Sequence, residues 1–257
     1  MSFGKVEASK GIEWIKSAIE IAMKNPGVFI VIALIIGVLG AIPIINLVTV
    51  IIGPALYGGF MYAAQKQDRG ETPEIGDVFA AFQIPGKIGP MLMLCLPGVA
   101  AMVVIVALIF VFVGGAIMAA MSGSSGASAA GFGGIALVGL LSLAIALVVG
   151  AMMFFSIPRV MLDGVEPIAA LKESVSAVLA NIGAVLLYFV VLFVGFFVLA
   201  IVVGWIPLVG ALVLMLAGST VFALGSYAAY RDVFGAGAPV AMVVPPSPPA
   251  PPMPPAM

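Results

Sequence analysis

The chain has 257 residues, of which 63% are apolar and 8% charged, and its net charge is -1. Soluble domains run at roughly 45–50% apolar and about 25% charged, so ten Lys and Arg could not cover a water-soluble fold of this length. Composition therefore excludes a soluble globular protein, gives no sign of nucleic-acid binding, and points to a polytopic membrane protein.

Histidine is absent, which removes the usual general base and the commonest metal ligand. Cys95 stands alone inside an apolar run, so it reads as a small hydrophobe rather than a thiolate ligand or half of a disulfide. Residues 1–24 alternate base and acid (Lys5, Glu7, Lys10, Glu13, Lys16, Glu20, Lys24) with no continuous apolar core, unlike a signal peptide. Met1-Ser2-Phe3-Gly4 does not fit an acylation signal.

In chain order, Ser9 suits an N-cap for a first helix running to Asn25. Ile12, Ile15, Ile19 and Met23, with Ala22, fall on one stripe, and Trp14 and Ile21 widen it. Glu13, Lys16, Ser17, Glu20 and Lys24 take the wet side. This helix is expected to lie in the membrane interface, its stripe in the headgroup boundary or against the bundle. Asn25-Pro26-Gly27 breaks it. Apolar runs Val28–Ala41 and Ile44–Ala64 follow, joined by Gly40-Ala41-Ile42-Pro43. The first run is short for the roughly 20 residues a span needs. Thinning, tilting and re-entry all fit, and a short span is the expectation.

Residues 65–87 return to water. Thr72 as cap and Pro73 at the first helical position predict a second amphipathic helix, with Ile75, Val78, Phe79 and Phe82 on one face. Ile88–Val113 predicts a third span bent at Pro97. Gly114–Gly134 reads as a flexible Gly/Ser/Ala linker whose start is compatible with helix. Ile135–Ile157 predicts the fourth span, closed by Pro158-Arg159. A third amphipathic helix, Glu166–Asn181, carries Ile168, Leu171, Val175, Val178 and Leu179 on one stripe, with Lys172, Glu173, Ser174 and Ser176 elsewhere. Ile182–Gly204 and Leu208–Tyr230, joined by Gly204-Trp205-Ile206-Pro207, complete six spans. Small residues four apart (Ala33, Gly37 and Ala41; Ser142, Ala146 and Gly150; Gly225 and Ala229) are expected at close helix contacts. From Pro239 onward nine of nineteen residues are proline and none is charged, so residues 235–257 read as a disordered tail.

The first and third units match beyond periodicity. Gly40-Ala41-Ile42-Pro43 parallels Gly204-Trp205-Ile206-Pro207, and Tyr62-Ala63-Ala64 parallels Tyr227-Ala228-Ala229. An internal repeat follows, with units of about 9–67, 72–158 and 166–232 in one membrane domain, 1–234. All ten Lys and Arg and all eleven Asp and Glu fall in 1–27, 65–87, 158–181 and 231 onward, and none falls in the three alternate connections. Under the positive-inside rule both termini and all three amphipathic helices are cytoplasmic.

No catalytic, cofactor-binding or metal site is expected. Asn46, Thr49, Tyr57, Ser142, Tyr188, Ser219 and Thr220 are the neutral polar residues at depth, and they read as interhelical hydrogen-bonding groups rather than a pathway. Asp163 and Glu166 near Arg159 have the look of a surface site, but an Arg159–Asp163 pair one turn apart explains them. Trp14 on a surface helix, Asn25-Pro26, the Ile-Pro turns, Pro158 with Asp163-Gly164, Pro167 and Tyr230-Arg231-Asp232 together resemble the uncharacterised bacterial inner-membrane proteins of the YciC-like type. Those are distantly similar to the membrane domain attached to some glycerophosphodiester phosphodiesterases. The resemblance covers residues 9–234 and implies a six-helix membrane fold with surface helices and no assigned activity. It carries over no catalytic residue. The functional expectation is a non-enzymatic scaffold or accessory subunit that contacts lipid, a membrane-protein partner or its own copies. The alternative is a channel or transporter for a neutral or lipidic substrate.

Overall fold

The computed structural model describes residues 3–121, 127–206 and 208–235, and these are α-helical with no strand. In order they form α1 (Lys10–Lys24), α2 (Pro26–Ala41), α3 (Pro43–Asp68), a 3-10 turn (Ile75–Phe79) leading into α4 (Ala80–Gln83), α5 (Ile88–Met93), α6 (Leu96–Met121), α7 (Ala127–Asp163), α8 (Pro167–Ala180), α9 (Ile182–Val203) and α10 (Val209–Phe234). Five segments are long and apolar enough to cross a membrane: Val48–Asp68, Ile88–Met121, Gly133–Asp163, Ile182–Val203 and Val209–Phe234. The bent pair α1 and α2, turning through 107° at Asn25, gives a sixth if it is counted as one span. Pro207, the segment around Gly126, the side chain of Asn46 and the proline-rich tail lie outside the described residues.

Several boundaries differ from the sequence expectations, each for a local reason. The Gly/Ser/Ala stretch is mostly helix: α6 runs on to Met121 and α7 begins at Ala127. Alanines carry it, since Ala is the strongest helix former. The bend expected at Pro97 falls at Leu94-Cys95, between α5 and α6, where Pro97 sits in the first turn of the new helix and its missing N–H costs nothing. The second amphipathic helix starts later than Thr72 and is shorter than expected. Glu74 caps it, its side chain and that of Asp77 closing a reciprocal capping box. Ser9 precedes α1 without a side-chain cap.

The largest correction concerns Pro158, which does not end its helix; α7 continues to Asp163. Proline has no N–H to give the carbonyl of Phe154. Ser226 on α10 supplies the missing donor, its hydroxyl 2.6 Å from that carbonyl. One turn earlier the Ser174 hydroxyl of α8 is inserted into the α7 ladder. It accepts from the Phe155 N–H at 3.0 Å and donates to the Ala151 carbonyl at 2.7 Å.

The core sits at the end of the bundle where the charged segments gather. Trp14, Phe29, Phe60, Met91, Leu94, Phe155, Tyr188 and Leu224 are among its largest fully buried side chains. Towards the opposite end α6 and α7 stay together, but their side chains, with those of the outer part of α9, are mostly exposed (Phe110, Leu147, Phe193 and Phe197 among them). Each short helix is docked on longer ones: α1 on α9 and α10, the 3-10 turn and α4 on α3, and α8 on α7.

The faces that dock are not those with the largest apolar residues. In α1 the buried stripe is Gly11, Trp14, Ala18 and Ile21, whereas Ile19 is 50% and Met23 69% exposed. In α8 it is Pro167, Ala170, Ser174, Ala177 and Val178, whereas Ile168 is 51% and Leu179 65% exposed. Ser174, which sequence spacing sets off the apolar stripe, is buried. Val78 is buried as expected, but Ile75, Phe79 and Phe82 face outward. Small residues let backbones approach. At Gly11 a Cβ would collide with the Ala184 carbonyl and Tyr188 amide of α9, and at Gly59 with the Asp77 and Val78 carbonyls.

Candidate functional site

The candidate site is the layer of charge where the four charged segments meet, because every Asp, Glu, Lys and Arg of the chain lies in those segments. With the last segment counted from Tyr227, each segment bonds to each of the other three. Gln67 donates to the Ile21 carbonyl at 2.9 Å and accepts from Asn25. Asn181 accepts from the Val6 N–H at 2.8 Å and donates to the Gly4 carbonyl at 3.1 Å. Trp14 Nε1 donates to Asp232 at 3.1 Å, and the Gly4 N–H donates to the Val233 carbonyl at 2.7 Å. Lys87 donates to the Val160 carbonyl at 3.2 Å. Arg231 and the Tyr227 hydroxyl both reach Asp68, at 2.7 and 2.9 Å. The Tyr230 hydroxyl donates to Asp163 at 2.6 Å.

Arg159 is the most connected cation. Its guanidinium meets Glu173 at 2.8 Å and Asp163 at 2.5 Å, and lies 4.7 Å from the centre of the Phe234 ring. The Arg159–Asp163 pair read from sequence is present. Glu166 is exposed and outside this cluster. Glu173 and Tyr230 were missed, since no sequence spacing links three helices. Lys66 pairs with Asp77 at 3.1 Å, another long-range contact that only the fold creates.

The groups are mutually occupied. Asp68, Asp77, Asp163 and Glu173 each meet a cation, and Tyr227 and Tyr230 donate to carboxylates. Among the described residues no buried side-chain nitrogen or oxygen lacks a hydrogen-bond partner, and no cluster of three or more Asp, Glu or Cys is arranged to hold a metal ion. Burial pushes the Lys87 ammonium below its ordinary pKa, against the pull of Asp163. The hydrogen bond to Glu13 raises that of Lys10. What the arrangement does chemically is clamp helix ends: partly buried charges that satisfy one another resist separation more than exposed pairs do.

At depth, Tyr188 donates to the carbonyls of Val221 and Phe222, at 3.2 and 3.3 Å, and Thr49 donates to the Leu39 carbonyl at 3.2 Å, so both link helices as expected. Ser219 bonds within its own helix, to the Met215 carbonyl at 2.9 Å. Tyr57 stacks edge-on against Phe222. No protein-family model matches the chain, and neither a curated protein nor a solved structure is significantly similar to it.

Proposed function

We propose that the chain is a non-enzymatic scaffold or accessory subunit of a bacterial inner membrane, a relative of the YciC-like proteins. In this reading it threads the bilayer six times in three repeated hairpins, as one domain with a disordered tail. Both termini and the short helices are cytoplasmic. The observation that carries the reading is the second face of α1 and α8. Each helix docks on the bundle through small residues and turns a strip of large apolar side chains outward: Ile12, Ile19 and Met23 on α1, Ile168 and Leu179 on α8. Glu13, Lys16 and Glu20 lie on the far side of α1, also exposed. A helix with one docked face, one exposed apolar face and one charged face suits a position at the rim of a bundle, lying on lipid or a membrane partner. The gathering of all charged segments at one end supports the cytoplasmic assignment. The mutual pairing of the charged groups favours a structural role over a catalytic or ion-conducting one.

The test uses the full chain, Cys95 replaced by Ser, reconstituted in phospholipid vesicles with a nitroxide at position 19 or 20. A label on Ile19→Cys should relax faster with oxygen, which concentrates in the apolar phase, and one on Glu20→Cys with an aqueous nickel chelate. Equal accessibility of both labels to the chelate would remove the lipid-contact role.

A further inference from the structure

Between α6, α7 and the start of α8 runs an open groove of about 650 Å³. Ala100, Ala101 and Ala144 create the space, and Leu96, Val148 and Leu171 wall it. No polar or charged side chain lines it. From Met93 at its charged end to Val104, α5 and α6 rise roughly 15 Å, which is about half the thickness of a bilayer's hydrocarbon core. The groove therefore has the depth of a single leaflet. Its lining is wholly apolar, and its depth suits the hydrocarbon chain of a lipid in one leaflet.

The charged rim supplies the other half of the argument. Lys87 lies about one and a half turns before Met93, half-buried, its ammonium bonded to the Val160 carbonyl. Among the described residues it has no carboxylate within ion-pair distance. The neighbouring Asp163 is taken by Arg159 and Tyr230. Of the other charges at this rim, Lys172 and Glu166 are both exposed. A half-buried cation short of an anion, about 9 Å beyond the groove's charged end, matches a phosphodiester above a hydrocarbon chain, with the glycerol spanning the interval.

We propose that this groove holds one acyl chain of a membrane phospholipid, with the lipid phosphate at the Lys87 ammonium. The site goes beyond a scaffold role, which needs no particular lipid. The test titrates the full-length protein in detergent micelles with dioleoyl phosphatidylglycerol and counts retained lipid by native mass spectrometry. Wild-type chain should retain one lipid. Ala144→Trp fills the groove from an exposed position and should lose it with an unchanged melting temperature, whereas Val194→Trp on the outer face of α9 should keep it. Lys87→Gln should weaken retention roughly tenfold or more, the scale of a charge-assisted hydrogen bond. Undiminished lipid on a folded Ala144→Trp chain, or a dimer in place of the lipid adduct, would overturn the groove assignment. Undiminished affinity in Lys87→Gln would overturn the phosphate contact.

Discussion

The hydroxyl of Ser174 stands where α7 would otherwise bond to itself, between the Ala151 carbonyl and the Phe155 N–H. Together with Ser226 on the Phe154 carbonyl, it lets α7 pass Pro158 without leaving a buried backbone group unpaired. Ser174→Ala removes one partner from a buried donor and a buried acceptor at once. That asymmetry costs more than the mean hydrogen bond, about 1–3 kcal/mol. Thermal unfolding in detergent should show the loss for Ser174→Ala. Ser176→Ala should fall within about 0.5 kcal/mol of wild type, because Ser176 is exposed and bonds only to its own helix. Equal stabilities would mean that α7 heals its own ladder. Neither serine's role could be read from sequence, because both depend on which helix lies across from Pro158.

The helices themselves were legible, while the side each presents to the protein was not. A 3.6-residue repeat of large apolar residues locates α1 and α8 correctly, and the ten-residue spacing from Gly11 to Ile21 was present in the sequence as well. The choice between the two stripes went wrong because size marks a buried face only where water is the alternative. Beside lipid, large apolar side chains are at no disadvantage outside, and close packing selects small ones inside. The same physics sorts the small-residue strips. Gly37 lies against Met215 and Gly225 against Tyr188, but Gly150 has nothing within 4 Å of where a Cβ would stand, and Ala146 is exposed. Sequence spacing had placed Ala146 and Gly150 at a contact, and the outward turn of that part of α7 removes it. Glycine-to-alanine substitutions should therefore differ in sign. In a helix the exchange gains up to about 1 kcal/mol from reduced backbone freedom. Gly150→Ala should keep that gain. Gly59→Ala should lose it and a further 1–3 kcal/mol or so, because the Asp77 and Val78 carbonyls it meets are backbone and cannot swing aside. Melting temperatures of the two variants on the same side of wild type would contradict the α3 packing.

For the molecule as a whole, charge segregation was the most informative thing in the sequence, and the described structure gathers the four charged segments at one end as that segregation requires. What sequence could not give is how they join. In a Cys95→Ser background, a cysteine at Gly126 should react with an impermeant thiol reagent added outside intact cells. A cysteine at Gly70 should react only after the membrane is opened, and reversed labelling would invert the threading. The short helices also set up a cyclic order. The 3-10 turn and α4 rest on the helix before them, α8 rests on α7, and α1 rests on α9 and α10, late in the chain. The Gly4–Val233 hydrogen bond and the Phe3–Phe234 ring contact close that order. Residue 3 and residue 235 are thus neighbours, and the backbone's cut at this point is arbitrary as far as packing goes. A circular permutant, with those residues linked and new ends opened at the exposed Gly70 turn, would keep every docked face. Its new ends would emerge at the same end of the bundle as the old ones, where the charged segments gather. Such a chain would begin with what is now the 3-10 turn and α4, so the order in which the helices are made would be separable from the order in which they pack.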